Sequence, residues 1–387
     1  MPVIKRKYFI NELDKALKVH PVVALLGPRQ CGKTTLAKQY GNLKRGKSTL
    51  NIYHFDLEDP DDLARLEAPK LAFEDLLGLI VVDEIQRQPE LFPLLRVLVD
   101  QHKKRKFLIL GSASRDLIKQ SSETLAGRIR YIEITPFSYY EVHDLHKLWF
   151  RGGFPNSYLA KNNENSSQWL TAYVTTFLER DIPNLGIQIP PRTLRRFWMM
   201  LAHYHGCIFN ASEIGTSLGV AHTTVRHYLD ILTGTFMIRE LTPWIENINK
   251  RQIKSPKIYF RDSGIFHNLL GIKDMHALQH HPKLGSSWEG FALEEIIRSH
   301  HAEPEECYFW GIHSQGELDL LIIKNGKRLG FEFKYSDAPT LTSSMQLASD
   351  TLKLDKLTVI YPGDRQYRLT NAIEVVGLEN YLLEIFN

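Results

Sequence analysis

The sequence predicts an α/β protein: a parallel sheet covered by helices, then a helical and winged-helix stretch, then a second α/β domain. Three observations carry this. First, apolar runs of strand length alternate with helical stretches through the first third of the chain: VVALL, NIYHFDLED, LGLIVVDEIQ, KFLILGSAS and RYIEITP, with DDLARLEAPKLAFEDLL among the helical ones. Nearly continuous apolar strands separated by helices belong to a parallel sheet buried on both faces. Second, NASEIGTSLGVAHTTVRHYLDIL carries two helical patterns around a glycine turn. Third, residues 316–334 read GELDLLIIKNGKRLGFEFK, two strands around Asn325-Gly326, the strongest short-range signal for a two-residue hairpin turn. A chain of 387 residues exceeds what one core organises. The expected division is 1–140, 141–205 as a helical connector, 206–283, and 284–387.

Composition excludes several classes. A net charge of +4 is too small for this length to argue for nucleic acid by itself. Cys31, Cys207 and Cys307 are far apart and form no CxxC pair, against a disulfide framework or structural zinc. No run approaches the roughly 18 apolar residues of a membrane span, and MPVIKRKYFINEL lacks the apolar stretch of a signal peptide. The expectation is a cytoplasmic protein with no membrane partner.

Residues 27–34 fit G-x-x-x-x-G-K-[ST] without a mismatch, after an apolar strand and before a helix. Gly27 and Gly32 let the loop curl so that its N–H groups point at phosphates, and the following helix adds its positive end. Gly27, Pro28, Arg29, Gln30, Cys31, Gly32, Lys33, Thr34 and Thr35 are therefore the candidate ATP-binding residues. Lys33 reaches the β- and γ-phosphates and Thr34 ligates Mg²⁺. LGLIVVDEIQ ends in Asp83 and Glu84, where a Mg²⁺-positioning acid and a water-activating acid are wanted. KFLILGSAS ends in Ser112 and Ser114, suited to sensing the γ-phosphate or attacking water. Gly27, Asp83 and Ser112 all fall at the carboxyl ends of strands, where such sheets bind ligands.

GPRQCGKTT, IVVDEIQ, LGSAS and the AGR of Ala126–Arg128 resemble the ATPase module of the AAA+ superfamily of P-loop NTPases. The closest likeness is to the group carrying a C-terminal domain of unknown function 4143. PFSYYE, RGGFP and FLERDI extend the likeness past the ATPase. The resemblance implies a sensor strand between the loop strand and the acid-pair strand. It also implies Lys33 and Thr34 on nucleotide and Mg²⁺, Asp83 on Mg²⁺, Glu84 as base and Ser112 as sensor. Arg128 matches an arginine finger or sensing arginine, within one chain or across a subunit interface, with Arg115 and Arg130 as neighbouring candidates. RGGFP, residues 151–155, reads as a break between modules.

In the helix-turn-helix stretch, Ala211, Gly215, Gly219 and Val225 fall at the positions such a motif needs, Gly215 small because the helices cross there. FMIRELTPW and PKIYFRD supply two wing strands. His222, Thr223, Thr224 and Arg226 then face outward as candidate DNA-binding residues, with Lys250, Arg251, Lys254 and Lys257 as a basic wing. A protein-packing role is the competing reading, since the second helix carries a single arginine.

In the last hundred residues, SSWEGFALEEIIRSHH reads as an amphipathic helix capped by Ser286 or Ser287. A hairpin centred on Asn325-Gly326 pairs residues whose numbers sum to 651. Asp319 then faces Glu332, with Glu317 and Lys334 on the same face, while Leu318, Leu320 and Ile322 line the other. Like charges placed opposite need a metal ion or a lysine between them. The order of helix, three strands, helix and strand resembles the restriction-endonuclease-like fold, and the hairpin resembles its PD-(D/E)XK signature. The resemblance implies Glu289, Asp319 and Glu332 around Mg²⁺, Lys334 beside the nucleophile and Gln346 on the next helix. Leu318 stands where that signature has proline. Fold does not settle activity. Two functions stay open: an ATPase controlling a DNA-binding or nuclease-like half, or a signalling switch whose C-terminal half binds protein. A homo-oligomer follows if Arg128 acts in trans. A P-loop kinase is disfavoured because Glu84 suits water activation.

Overall fold

A computed structural model describes residues 3–45, 51–112, 121, 123–246 and 252–386. Ser114, Arg115, Lys250 and Arg251 lie outside the described residues. The chain forms two compact units, one of residues 1–136 with 234–236, the other of 137–233 with 237–387.

The first unit is built on five parallel strands: β1 (Val22–Leu26), β2 (Ile52–Asp56), β3 (Gly78–Asp83), β4 (Arg105–Gly111) and β5 (Ile129–Glu133). Their order is β2-β3-β4-β1-β5, so the sensor strand β4 lies between the loop strand and the acid-pair strand, as the resemblance implies. Every residue of β1 and β3 is buried. Their side chains alternate between two apolar clusters, Val22, Ala24 and Leu26 packing with Phe107 and Ile109, Val23 and Leu25 with Leu108 and Leu110. That alternation is why β1 carries no polar residue and β3 none before its last, Asp83: each face of the sheet is covered there. Leu26 pairs with Gly111 and Asp56 with Asp83. The residues following β1, β3 and β4 therefore emerge along one edge.

The second unit contains a nine-stranded mixed sheet in the order β13-β14-β12-β11-β10-β9-β7-β8-β6. Its strands are β6 (Cys207–Ile208), β7 (Ile238–Pro243), β8 (Lys257–Phe260), β9 (Cys307–Ile312), β10 (Gly316–Lys324), β11 (Lys327–Phe333), β12 (Lys356–Tyr361), β13 (Gln366–Arg368) and β14 (Ile373–Gly377). The helix-turn-helix is present as Ala211–Leu218 and His222–Gly234, with Gly219 in the left-handed region at φ 72° and Val225 buried. A side chain at Gly215 would meet the Val220 carbonyl at 2.8 Å, the steric reason for its smallness. β7 and β8, the strands expected for a wing, pair antiparallel. β7 also pairs parallel with β9, so the sheet runs unbroken across residue 283.

The structure departs from the sequence reading at three places. RGGFP is not a break: Gly152, Gly153 and Phe154 are buried. The Asp262 carboxylate accepts from the Gly153 N–H at 2.8 Å, and a side chain at Gly153 would collide with the Phe137 carbonyl at 2.2 Å. The glycines serve close packing, not a linker. Ser286 and Ser287 are not caps: the helix runs Leu284–Ser299, and the Ser287 hydroxyl is buried, bonded to Trp149 Nε1 at 3.0 Å and His267 Nε2 at 2.7 Å. Finally, the β10–β11 register does sum to 651, from Leu320↔Phe331 to Lys324↔Lys327, with Asn325 and Gly326 at φ 52° and 76° as the tight turn needs. Yet β10 carries a bulge against β9 between Leu318 and Leu321. An extra residue flips the facing that follows, so Leu318 and Leu321 share one apolar cluster where strict alternation would separate them.

Candidate functional site

In the first unit, the loop after β1 closes on the helix Lys33–Arg45. Gly27 is obligatory, since a Cβ there would lie 2.1 Å from the Ile134 carbonyl oxygen, and Gly32 sits at φ 98°. The Lys33 ammonium is nearly buried and donates to the Gly27 and Pro28 carbonyls, each at 2.9 Å. Cys31 is buried beneath the loop with its thiol 3.4 Å from the Ile134 carbonyl, and burial raises its pKa. Thr34 Oγ1 donates to Asp83 Oδ2 at 2.6 Å. A hydroxyl and a carboxylate in contact at the foot of a phosphate loop are the hard oxygen donors that Mg²⁺ takes, so these residues fit that ion. Glu84 stands at φ 56°, a left-handed conformation that non-glycine residues adopt uncommonly. Burial raises its pKa, opposed by the charges of Arg29 and Lys33. Arg29 pairs with Glu58 at 2.6 Å and lies 3.9 Å from Glu84. The Gln86 amide donates to both the Glu84 carboxylate and Ser112 Oγ, the latter at 3.0 Å. Gln86 thus ties the acid after β3 to the hydroxyl after β4.

Arg128 is not part of this constellation. It precedes β5, and its carbonyl accepts from the Val22 N–H at 3.1 Å, at the amino end of the sheet, whereas the loop follows Leu26 at the carboxyl end. Its guanidinium forms a two-pronged pair with Asp100, at 2.7 and 2.9 Å. A sensing role within its own chain does not fit that placement.

In the second unit, His222 and Thr223 are exposed and Thr224 half-buried on the second motif helix. Arg226 is held by Asp230 at 2.8 Å and by Glu240, so two carboxylates oppose the one arginine of that helix.

The acidic residues of the hairpin converge, but on a lysine. Lys257, the first residue of β8, is 4% exposed. Its Nζ contacts Glu317 and lies 3.6 Å from Asp319 and 3.8 Å from Glu289. Burial works against its charge, yet Asp319, Glu289 and Glu317 hold its pKa above the ordinary lysine range. Tyr259, two residues along β8, donates its hydroxyl to Glu289 Oε1 at 2.6 Å. Asp319 Oδ2 accepts from the Phe333 N–H at 3.0 Å, taking a place in the strand pairing beside the bulge. Lys334 donates to Glu332 Oε1 at 2.7 Å, not to Glu317, and Glu332 Oε2 is buried without a hydrogen-bond partner. Burial and the nearby Asp319 push Glu289 up to about 7 and Glu332 up to about 8. Gln346 is apart from the cluster, exposed and bonded to Asp350 of its own helix at 3.0 Å. Among the described residues, no group of three or more His, Cys, Asp and Glu side chains is arranged to hold a metal ion. As folded, this donor set does not fit the Mg²⁺ that the nuclease resemblance implies.

Three family descriptions match in succession: AAA domain over residues 19–143, Domain of unknown function (DUF8612) over 142–276 and Domain of unknown function (DUF4143) over 284–381. An uncharacterized protein of Mycobacterium tuberculosis is 46% identical over 383 residues, covering 98% of this chain and 85% of that one. The chain belongs to the AAA-domain proteins that carry DUF4143. An uncharacterized protein of Mycobacterium bovis matches with the same identity and coverage. A solved Walker-type ATPase of Pyrococcus abyssi is similar over 69% of this chain and 96% of its own, at 16% identity and a TM-score of 0.49. Among the described residues, no helix is long and apolar enough to cross a membrane.

Three residues of this AAA-domain protein escaped sequence reasoning. Gln86 followed the acid pair with no pattern to give it a role. Tyr259 read only as a strand residue. Lys257 read as one of a basic run, and only the β6–β8–β7 pairing reveals that its side chain enters the acidic cluster.

Proposed function

We propose that this chain hydrolyses ATP with Mg²⁺ and that its nucleotide state governs a DNA-binding C-terminal half. The observation that carries the first part is the Gln86 bridge between Glu84 and Ser112, beside the Thr34–Asp83 contact at the mouth of the loop. Loop N–H groups and the helix end receive the phosphates. Lys33 leaves the Gly27 and Pro28 carbonyls for the β- and γ-phosphate oxygens, exchanging neutral acceptors for charged ones. Thr34 and Asp83 would hold Mg²⁺, which neutralises phosphate charge. Ser112 orients the γ-phosphate or the attacking water. Glu84 accepts the proton of that water as its oxygen bonds to phosphorus and the bond to ADP breaks. Arg128, remote from its own loop, acts on the loop of a neighbouring copy, which makes the working form a homo-oligomer.

For the C-terminal half, His222, Thr223 and Thr224 on the outward helix supply hydrogen-bonding groups, with a wing beside them. The pairing of Arg226 with Asp230 and Glu240 favours a second reading, in which this half binds protein. Lys257 inside the acidic cluster argues against nuclease activity.

Steady-state phosphate release tests the first part: Glu84→Gln keeps nucleotide affinity and lowers turnover by about 10²–10⁴-fold. Anisotropy titrations of duplex DNA between about 50 and 200 mM salt test the second. A steep fall of affinity with salt, altered by ATP, supports DNA binding. No binding at low salt in any nucleotide state refutes it in favour of a protein partner.

A further inference from the structure

We infer that Lys257 is the resident cation of the carboxylate cluster, standing where a divalent ion would have to sit. The C-terminal site is therefore closed to metal and becomes a metal site only when Lys257 is removed. This holds whether or not the ATPase and DNA readings stand.

The ammonium is built in, not adventitious. Lys257 pairs through its backbone with Ile208 of β6 on one side and Leu241 of β7 on the other, so its strand is fixed at both edges. From there its side chain reaches Glu317, Asp319 and Glu289, which come from two different elements, β10 and the helix Leu284–Ser299. The Phe309 ring lies 5.5 Å from Nζ and closes the apolar side. Tyr259 projects from the same face of β8, as residues two apart in a strand do, and its hydroxyl occupies Glu289 Oε1. An oxygen-ligated Mg²⁺ sits about 2.0–2.1 Å from its ligands. An ion bound to the oxygens that surround Nζ would lie in contact with the ammonium, so both cations cannot occupy the cluster. Four carboxylates, Glu289, Glu317, Asp319 and Glu332, face two ammonium groups, Lys257 and Lys334. Deleting the Lys257 ammonium widens that excess and frees the oxygens it contacts, beside the already unpartnered Glu332 Oε2. The cluster then has the chemistry of a hard-cation site.

The test is Mn²⁺ binding to the full-length, nucleotide-free chain, read from the spectrum of free Mn²⁺. Wild type and Asp319→Asn are expected to bind Mn²⁺ alike. Lys257→Met gains one site at least tenfold tighter than anything in wild type, and the Lys257→Met/Asp319→Asn double variant loses it. Mn²⁺ raises the melting temperature of Lys257→Met and leaves that of wild type unchanged. A wild-type site that Asp319→Asn abolishes would overturn the inference, since metal would then coexist with Lys257. So would a folded Lys257→Met that gains no site. If Lys257→Met does not fold, Lys257→Gln keeps a polar group near the carboxylates, and the wild-type comparison with Asp319→Asn decides by itself.

Discussion

Replacing Gln86 by leucine removes a group that links the proposed base to the proposed sensor. Glu84 as a carboxylate only accepts hydrogen bonds, so the Gln86 NH₂ must face it, and the same nitrogen reaches Ser112 at 3.0 Å. A hydrogen bond to a charged group contributes about 1.5–3 kcal/mol. At about 1.4 kcal/mol per decade of rate, losing it in the transition state lowers kcat by about 10- to 100-fold. Nucleotide affinity is expected to stay within about threefold, because Lys33 and the loop are untouched. The pH profile gives an independent sign. Burial already raises the pKa of Glu84. A donated N–H favours the ionised form, so its loss raises that pKa further. The base works ionised, and the acid limb of kcat therefore moves to higher pH in Gln86→Leu. The assay is phosphate release at saturating Mg-ATP across pH, beside a fluorescent-nucleotide titration. Wild-type kcat in Gln86→Leu, or a loss confined to nucleotide affinity with an unmoved acid limb, would refute the positioning role.

Three further outcomes are expected. Lys33→Ala abolishes the ATP-induced rise in melting temperature, which for wild type at a hundredfold excess over Kd is about 5–10 °C. Arg128→Ala lowers kcat by about 10³-fold or more. Mixing it with Glu84→Gln restores hydrolysis, each copy supplying what the other lacks, whereas an absence of rescue excludes action in trans. Burial alone would raise the pKa of Glu294, but Arg239, Arg261 and Arg298 hold it to about 2. Against an ordinary 4.5, this contributes about 3 kcal/mol of stability. The contribution is fully present above pH 4.5 and lost as pH falls towards 2. Urea unfolding of Glu294→Gln is expected to show that loss at pH 7 and a flatter acid limb.

Sequence patterns recovered what depends on local period and on turns. The five parallel strands were legible as strand-length runs alternating with helical stretches; β1 and β3 are buried throughout, β2 and β5 only in part. The place of β4 between β1 and β3 came with the resemblance, while the positions of β2 and β5 did not. The hairpin register was legible because Asn325-Gly326 admits one tight turn and thereby numbers every pair. The bulge between Leu318 and Leu321 was not, because it arises in pairing with β9 and not with β11. RGGFP looked like a linker because glycine is ambiguous. The same missing side chain that permits flexibility also permits Gly153 to lie against the Phe137 carbonyl. Arg128 was singled out by the resemblance of its AGR segment, while its distance from the loop follows only from which end of β5 it occupies. Lys257 is 60 or more residues from Glu317 and Asp319 in sequence, so no local pattern announces that they meet.

Each unit holds a nearly buried lysine at its candidate site, and what each lysine touches decides which site exchanges ligands. Lys33 is held by two neutral backbone carbonyls. A triphosphate offers it charged oxygens in their place, and the abandoned carbonyls lie on a loop whose partners are reorganised by the same ligand. On the proposed reading that exchange is favourable. Lys257 is held among three carboxylates. Its departure would leave buried acids uncompensated, a change that costs about 3–5 kcal/mol where one partner of a buried pair is removed. A divalent ion entering the cluster would have to supply that energy and shed its own tightly held water before gaining anything. The first site therefore trades its lysine's partners for a ligand, and the second keeps its lysine as the ligand.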